Sequence, residues 1–150
     1  MHASRTISLG LSLPLAVLEF DHRVRRRAQE IFERQEPRRK QSDWEYAIEQ
    51  CDAKGYVMWN HPKYEAVVAK AEELWRDRQH ASSVSDWLEA EGDILEQLGM
   101  SLARFQFYVR HEAYFAWVSR NACEDPGTPE GDWFVGRERA IHNNFSNKLR

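Results

Sequence analysis

The sequence predicts an all-α protein built from three helix-loop-helix repeats that pack as one compact helical array. Glycine and proline are sparse, with 7 and 5 in 150 residues, which argues against an all-β chain rich in tight turns. Apolar residues recur at intervals of three and four, which is the period of a helix with one buried face. An Asp-Trp pair also recurs, at Asp43, Asp86 and Asp132, with a spacing typical of two-helix repeats.

The three repeats share one pattern around the Asp-Trp pair. An alanine is followed four residues later by an aromatic residue, then by a polar loop, Asp-Trp and a small residue. This pattern predicts repeats over about 17–55, 60–99 and 102–147, each a helix, a loop and a second helix. Aspartate in the first turn of the second helix satisfies unpaired backbone N–H groups. The adjacent tryptophans, Trp44, Trp87 and Trp133, are therefore predicted to lie in the core.

Local signals place the helix boundaries. Pro14 and Pro62 are suited to the first turn of a helix. Ser42 and Glu45 have the spacing of a capping box, which predicts a helix start at that point. Gly99 is a natural helix stop. We expect an apolar N-terminal arm over 1–16 and a single helical domain over 17–150.

The repeated pattern resembles an uncharacterised bacterial domain family with the signature A-x-x-L-W, a loop, and D-W-x-x-A-E. The second repeat matches best in its helices, at Ala71, Leu74, Trp75, Asp86, Trp87, Ala90 and Glu91. The third repeat keeps the Pro-Glu-Gly loop but has Gly136 where the family has alanine, and the first has Phe32 for tryptophan. The resemblance implies a small helical module of bacterial origin, and it implies no catalytic residue.

Composition and targeting signals favour a cytoplasmic protein. The formal net charge of −3 gives no bulk electrostatic reason to bind nucleic acid or membrane. The apolar run over 7–20 is too short to span a bilayer and lacks the flanks of a signal peptide. Cys51 and Cys123 have no partner at metal-site spacing, and two buried free thiols are favoured over the alternative of a single disulfide between them.

No motif predicts catalysis. None of the six histidines forms a metal-binding pair, and neither a nucleophile elbow nor a phosphate-binding or dinucleotide-binding glycine loop occurs. The sequence therefore predicts neither an enzyme, nor a cofactor, nor a metal site.

The charge distribution leaves three interpretations open. Residues 23–40 are strongly basic, and residues 72–96 are strongly acidic. The two stretches could complement each other within the fold. They could instead bind a protein partner or a second copy of the chain. The basic helix and loop over 23–40 could also contact nucleic-acid phosphates, which would make this a nucleic-acid-associated protein.

We expect a non-enzymatic accessory or assembly protein that binds a protein partner, possibly itself. Its contacts would come from the apolar arm, from charged helical faces and from Trp59, which lies outside the repeats. The arm could dock on a neighbouring chain or fold back on its own repeat. The candidate partner-binding residues are Leu11, Leu13, Leu15, Arg25, Arg26, Arg38, Arg39, Lys40 and Trp59.

Overall fold

The computed structural model describes residues 10–54, 62–124 and 126–150, and most of these residues lie in helices. These residues contain no β-strand, so the all-α prediction is confirmed for them. In chain order the helices are α1 (Leu13–Gln50), α2 (Pro62–Gln97), α3 (Leu102–Ala122) and α4 (Pro129–Phe145).

The first two predicted loops are helical, so four helices replace the six expected over the described residues. Helix α1 runs without a break through 33–42, and α2 runs through 76–85. Only the third segment has the predicted helix, loop and helix, formed by α3 and α4. Asp43 and Asp86 consequently do not begin helices, whereas Asp132 lies in the first turn of α4 as predicted.

Long-range ion pairs explain why α1 continues past Pro37. Proline inside a helix removes one backbone hydrogen bond and costs about 3 kcal/mol. On either side of it, Glu36 and Arg39 bind charged groups of α2, at Arg78 and Asp86. These contacts join residues more than 40 positions apart, so a search for local turn signals does not detect them.

The predicted helix start at Ser42 and Glu45 is wrong, because α1 is continuous there, but other helix ends follow local signals. Gly99 is the helix stop that the sequence predicts: it adopts a left-handed φ of 85°, and Met100 N–H donates to the Leu95 carbonyl, as in a Schellman motif. Asp52, with a φ of 49°, ends α1 in the same manner. The side chains of Ser101 and Thr128 cap the N-termini of α3 and α4.

The described chain divides into two compact units, one formed from 1–27 with 90–150 and the other from 28–89. The first unit has an aromatic core made by three helices. Phe20 of α1, Phe105 of α3 and Phe145 of α4 stack with ring centroids 5.9–6.2 Å apart. All three rings are almost fully buried, and aromatic stacking of this kind adds to the free energy of simple burial.

A buried arginine ties the same unit together. The Arg137 guanidinium lies 5.4 Å from the centroid of the Phe20 ring and donates to Asp21 at 2.9 Å and to Glu91 at 3.0 Å. Burial lowers the pKa of Arg137, but the two carboxylates raise it by more, so its pKa is raised and the side chain stays charged. One residue thus links α1, α2 and α4.

The second unit, 28–89, is a hairpin of α1 and α2. Their contacts run antiparallel, because Trp44 packs edge-on against Tyr64 whereas Arg34 lies near Glu89. Near the connection a small core forms around three fully buried residues. These residues are Ala47, Ala53 and Val67. Trp44, Ile48, Cys51, Ala71 and Leu74 pack around that core.

The predictions that Trp133 and Cys123 are buried are both wrong. Trp44 and Trp87 are half-buried, but Trp133 is 46% exposed. Asp132 and Gly136 are among the buried residues of α4 and share one side of the helix, whereas Trp133 points about 100° away from Asp132. Both cysteines are free, but only Cys51 is partly buried, and Cys123 is exposed.

We predict that Gly136→Ala destabilises the protein. A Cβ at this position would lie 2.5 Å from the Val109 carbonyl oxygen and 2.7 Å from the Ala113 backbone nitrogen, so the backbones of α3 and α4 would have to separate. Overpacking of this kind costs about 1–3 kcal/mol. Chemical denaturation followed by circular dichroism measures this loss.

Gly92→Ala is the matched control, because a Cβ there meets nothing within 4 Å. Alanine is the better helix former by about 1 kcal/mol, so this variant should be as stable as the parent or more stable. If both variants stabilised the protein equally, the close approach at Gly136 would be contradicted.

Candidate functional site

A cluster of ionised side chains lies at the centre of the α1–α2 hairpin. Arg78 donates to Glu36 at 2.8 Å and to Asp43 at 2.8 Å, and Arg39 donates to Asp86 at 2.9 Å. The charge cluster is defined by these residues: Glu36, Arg39, Asp43, Arg78 and Asp86. Glu36 and Asp86 are buried in spite of their charge, so each needs its arginine.

The partners of Glu36 keep it ionised. The hydrogen bonds from Arg78 lower the pKa of this carboxyl by more than burial raises it, and the Trp75 indole and Arg39 lower it further. Trp75 Nε1 donates to the carboxylate at 3.0 Å. The charge cluster therefore holds a tryptophan in place as well as joining two helices.

Several basic residues of the stretch 23–40 form ion pairs within the fold. Arg23 pairs with Glu19 and Arg27 with Asp93, and Arg39 belongs to the charge cluster. All of 23–40 is helical, so the basic loop expected near its end does not form. Four candidates remain exposed without an ion pair to any residue the structure describes. These are Arg25, Arg26, Arg38 and Lys40.

The described part of the N-terminal arm lies on its own chain. Leu11 N–H donates to the Ser146 carbonyl at 2.9 Å, and Leu13 begins α1. Leu11 and Leu13 are half-buried, whereas Leu15 is 54% exposed and is the arm residue best placed for an external contact. Trp59 lies outside the described residues.

Helix α3 is apolar on two opposite sides. Phe105, Val109 and Ala116 are buried on the core side. The opposite side carries a second set at the same helical spacing, together with the adjoining Trp117. We call this set the α3 aromatic face, and it consists of Phe107, His111, Tyr114, Phe115, Trp117 and Val118. A helix at a protein surface normally has polar residues on its outward side, so this face is unusual.

The rings of the α3 aromatic face form a continuous series of contacts. The centroid of His111 lies 6.2 Å from that of Phe107 and 4.9 Å from that of Phe115. Tyr114 contacts both Phe115 and Trp117. Phe107 and Tyr114 are nevertheless 59% and 58% exposed. We place the exposed aromatic surface at about 400 Å², within the range in which the largest apolar patch of a protein is often functional.

The charges next to this face are basic. Arg104 lies beside Tyr108, with its guanidinium 5.7 Å from the ring centroid, and Arg110 is exposed. Glu112 is the only acidic residue of α3, and it is half-buried and accepts a hydrogen bond from Asn143. An external group that covered the face would therefore meet positive charge at its edges.

Sequence reasoning identified the core side of α3 and missed its outward side. Apolar spacing in the sequence predicts one α3 face made of Phe105, Val109, Ala113, Ala116 and Trp117. Phe105, Val109 and Ala116 are buried as predicted, but the prediction is wrong for Trp117, which is 48% exposed. The sequence does indicate the second face, because the aromatic residues at 107, 114 and 115 do not fall on the same side of the helix as the core residues.

The described residues hold no group of three or more histidine, cysteine or carboxylate side chains placed to bind a metal ion. Among them there is also no helix long and apolar enough to cross a membrane. Comparison with protein-family models, curated proteins and solved structures found no match. The resemblance to a bacterial domain family therefore stays a prediction from the repeated signature.

We predict that Glu36→Gln destabilises the protein by about 2 kcal/mol at neutral pH, because Arg78 loses a buried charged partner. The folded-state pKa of Glu36 is lowered, so its carboxylate stabilises the fold above its ordinary pKa of 4.5. That contribution disappears as the pH falls through the lower folded-state value. Denaturation series from about pH 6 to about pH 3 should show the parent and the variant converging.

The control for this experiment is Glu49→Gln on the exposed side of the same helix, which should change stability by less than about 0.5 kcal/mol. A stability difference between the parent and Glu36→Gln that stayed constant with pH would contradict the assigned ion pair.

Proposed function

We propose that this chain is a non-catalytic accessory protein whose α3 aromatic face binds an acidic amphipathic helix of another protein. The observation that supports the proposal is the exposure of Phe107 and Tyr114 on the outward side of a helix whose core side is already filled. An amphipathic helix is a common occupant of such a surface, because it supplies apolar residues at matching intervals.

Charge favours an acidic partner over a second copy. Two α3 aromatic faces packed on each other would bring Arg104 and Arg110 of both copies together, and the outward side of α3 has no carboxylate to neutralise them. Glutamate or aspartate at the edges of a partner helix would pair with those arginines instead. The same charges would steer the encounter and make its rate depend on salt.

Exposed residues of α1 are further candidate contacts for a partner protein. Leu15 and the exposed basic residues Arg25, Arg26, Arg38 and Lys40 are further candidate contacts for an assembly partner. The same four basic residues support the alternative function, contact with nucleic-acid phosphates. That alternative predicts an affinity for single-stranded DNA that falls steeply with salt and is lost when these residues are changed to glutamate.

Selection from a phage-displayed library of helical peptides tests the proposal. Enriched peptides should carry apolar residues at helical spacing with acidic residues beside them. The double variant Phe107→Ser/Phe115→Ser should bind them at least about tenfold more weakly, because two exposed anchors are lost. The control Tyr46→Ser removes a comparably exposed aromatic residue from α1 and should bind normally.

Three results would overturn the proposal. One is enrichment of peptides without acidic residues, and another is binding that survives the double variant. The third is a concentration-dependent dimer of the parent chain, measured by light scattering, that the double variant abolishes. That last result would assign the α3 aromatic face to a second copy.

A further inference from the structure

A small cavity opens between α1 and α2 within the unit formed by 28–89. Its volume is about 320 Å³, which falls in the range of small-molecule sites. Helix α1 contributes Lys40, Asp43 and Trp44 to the lining, and α2 contributes Val68, Ala71, Glu72 and Trp75. The α3 aromatic face supplies none of these residues, so the cavity is a separate candidate site.

The apolar walls of this cavity are held by contacts outside it. Trp44 packs against the buried residues Ala47 and Val67 and edge-on against Tyr64. Trp75 is fixed by the hydrogen bond from its Nε1 to Glu36. Two indole rings held in this way need little reordering when a ligand binds, and that reduces the entropic cost of binding.

The rim of the cavity carries one positive charge that has no counter-ion among the described residues. Asp43 is bound by Arg78 at 2.8 Å, and Glu72 lies 3.7 Å from Arg76. Lys40 is exposed and makes no ion pair with any described residue. A cationic ligand would face Lys40 and two carboxylates that already have partners, whereas an anionic ligand would meet an available ammonium group.

We propose that this cavity binds a small carboxylic acid with a flat aromatic or short alkyl body. The body lies against the two indole rings and over Val68 and Ala71, and the carboxylate pairs with Lys40 Nζ. Burial of the apolar body supplies most of the affinity, and the ion pair selects the acid over neutral compounds of the same shape.

The probe for this site is 4-phenylbutyrate, titrated into the full chain by calorimetry and by NMR of the tryptophan indole N–H groups. Binding should shift the Trp44 and Trp75 signals. The matched neutral probe, 4-phenylbutyramide, should bind at least about tenfold more weakly, because it cannot form the ion pair. A phenylbutyl trimethylammonium ion should bind more weakly still.

Variants locate the contact. Lys40→Met keeps the length of the side chain and removes its charge, so it should weaken 4-phenylbutyrate about tenfold and leave the amide unchanged. Lys54→Met, an exposed lysine of the same unit outside the cavity, should leave both affinities unchanged. Ala71→Leu fills the cavity and should abolish binding by all the probes, with helical content checked by circular dichroism.

The proposal is overturned if the amide binds as tightly as the acid, or if Lys40→Met and Lys54→Met behave alike. Preference for the ammonium probe would assign the cavity to cations instead. Absence of any shift at Trp44 and Trp75 would show that no ligand of this class enters.

Discussion

The ion pair between Glu36 and Arg78 is the constraint on which the α1–α2 hairpin depends. It joins residues 42 positions apart, and its carboxylate is buried, so loss of Arg78 would leave Glu36 without its strongest partner. It lies beside Pro37, where α1 gives up a backbone hydrogen bond. The ion pair between α1 and α2 next to Pro37 offsets the free energy that α1 loses with this backbone hydrogen bond. Because Asp43 and Asp86 are bound within the same cluster, the segments that contain them remain helical.

The same ion pair shapes the surface around it. Glu36 accepts a hydrogen bond from the Trp75 indole N–H, which positions one wall of the α1–α2 cavity. Arg78 also binds Asp43, which positions a carboxylate at the rim of that cavity. Asp43 is bound by Arg78, which it shares with Glu36, whereas the rim residue Lys40 has no ion pair with any residue the structure describes. The interaction that joins the two helices therefore also occupies one of the carboxylates that line the neighbouring cavity. Removing the Glu36 carboxylate would release Trp75 as well as weaken the hairpin.

A helix boundary could be predicted from the sequence where neighbouring residues determine it, and not where a contact distant in sequence determines it. Starts at Pro14 and Pro62 and the stop at Gly99 follow from one or two residues, and the structure agrees with all three. The helical state of 33–42 could not be predicted in this way, because proline and basic residues there resemble a loop until Arg78 is placed nearby. The charged stretches were expected to complement each other in one of three interpretations, and Arg39 with Asp86 does so, whereas Arg25 and Arg26 do not.

The candidate binding face shows a different limit. Helix α3 has apolar residues on both sides, so their periodicity identifies two possible core faces and does not show which one is buried. Packing decides which face is buried. Gly136 lets α4 approach the side of α3 that carries Val109 and Ala113, and Phe20 stacks on Phe105 of the same side. Once that side is filled, Phe107, Tyr114 and Phe115 are left outside, where water contact with their rings is unfavourable. The close approach of α4 at a single glycine therefore decides which aromatic residues are available to a partner.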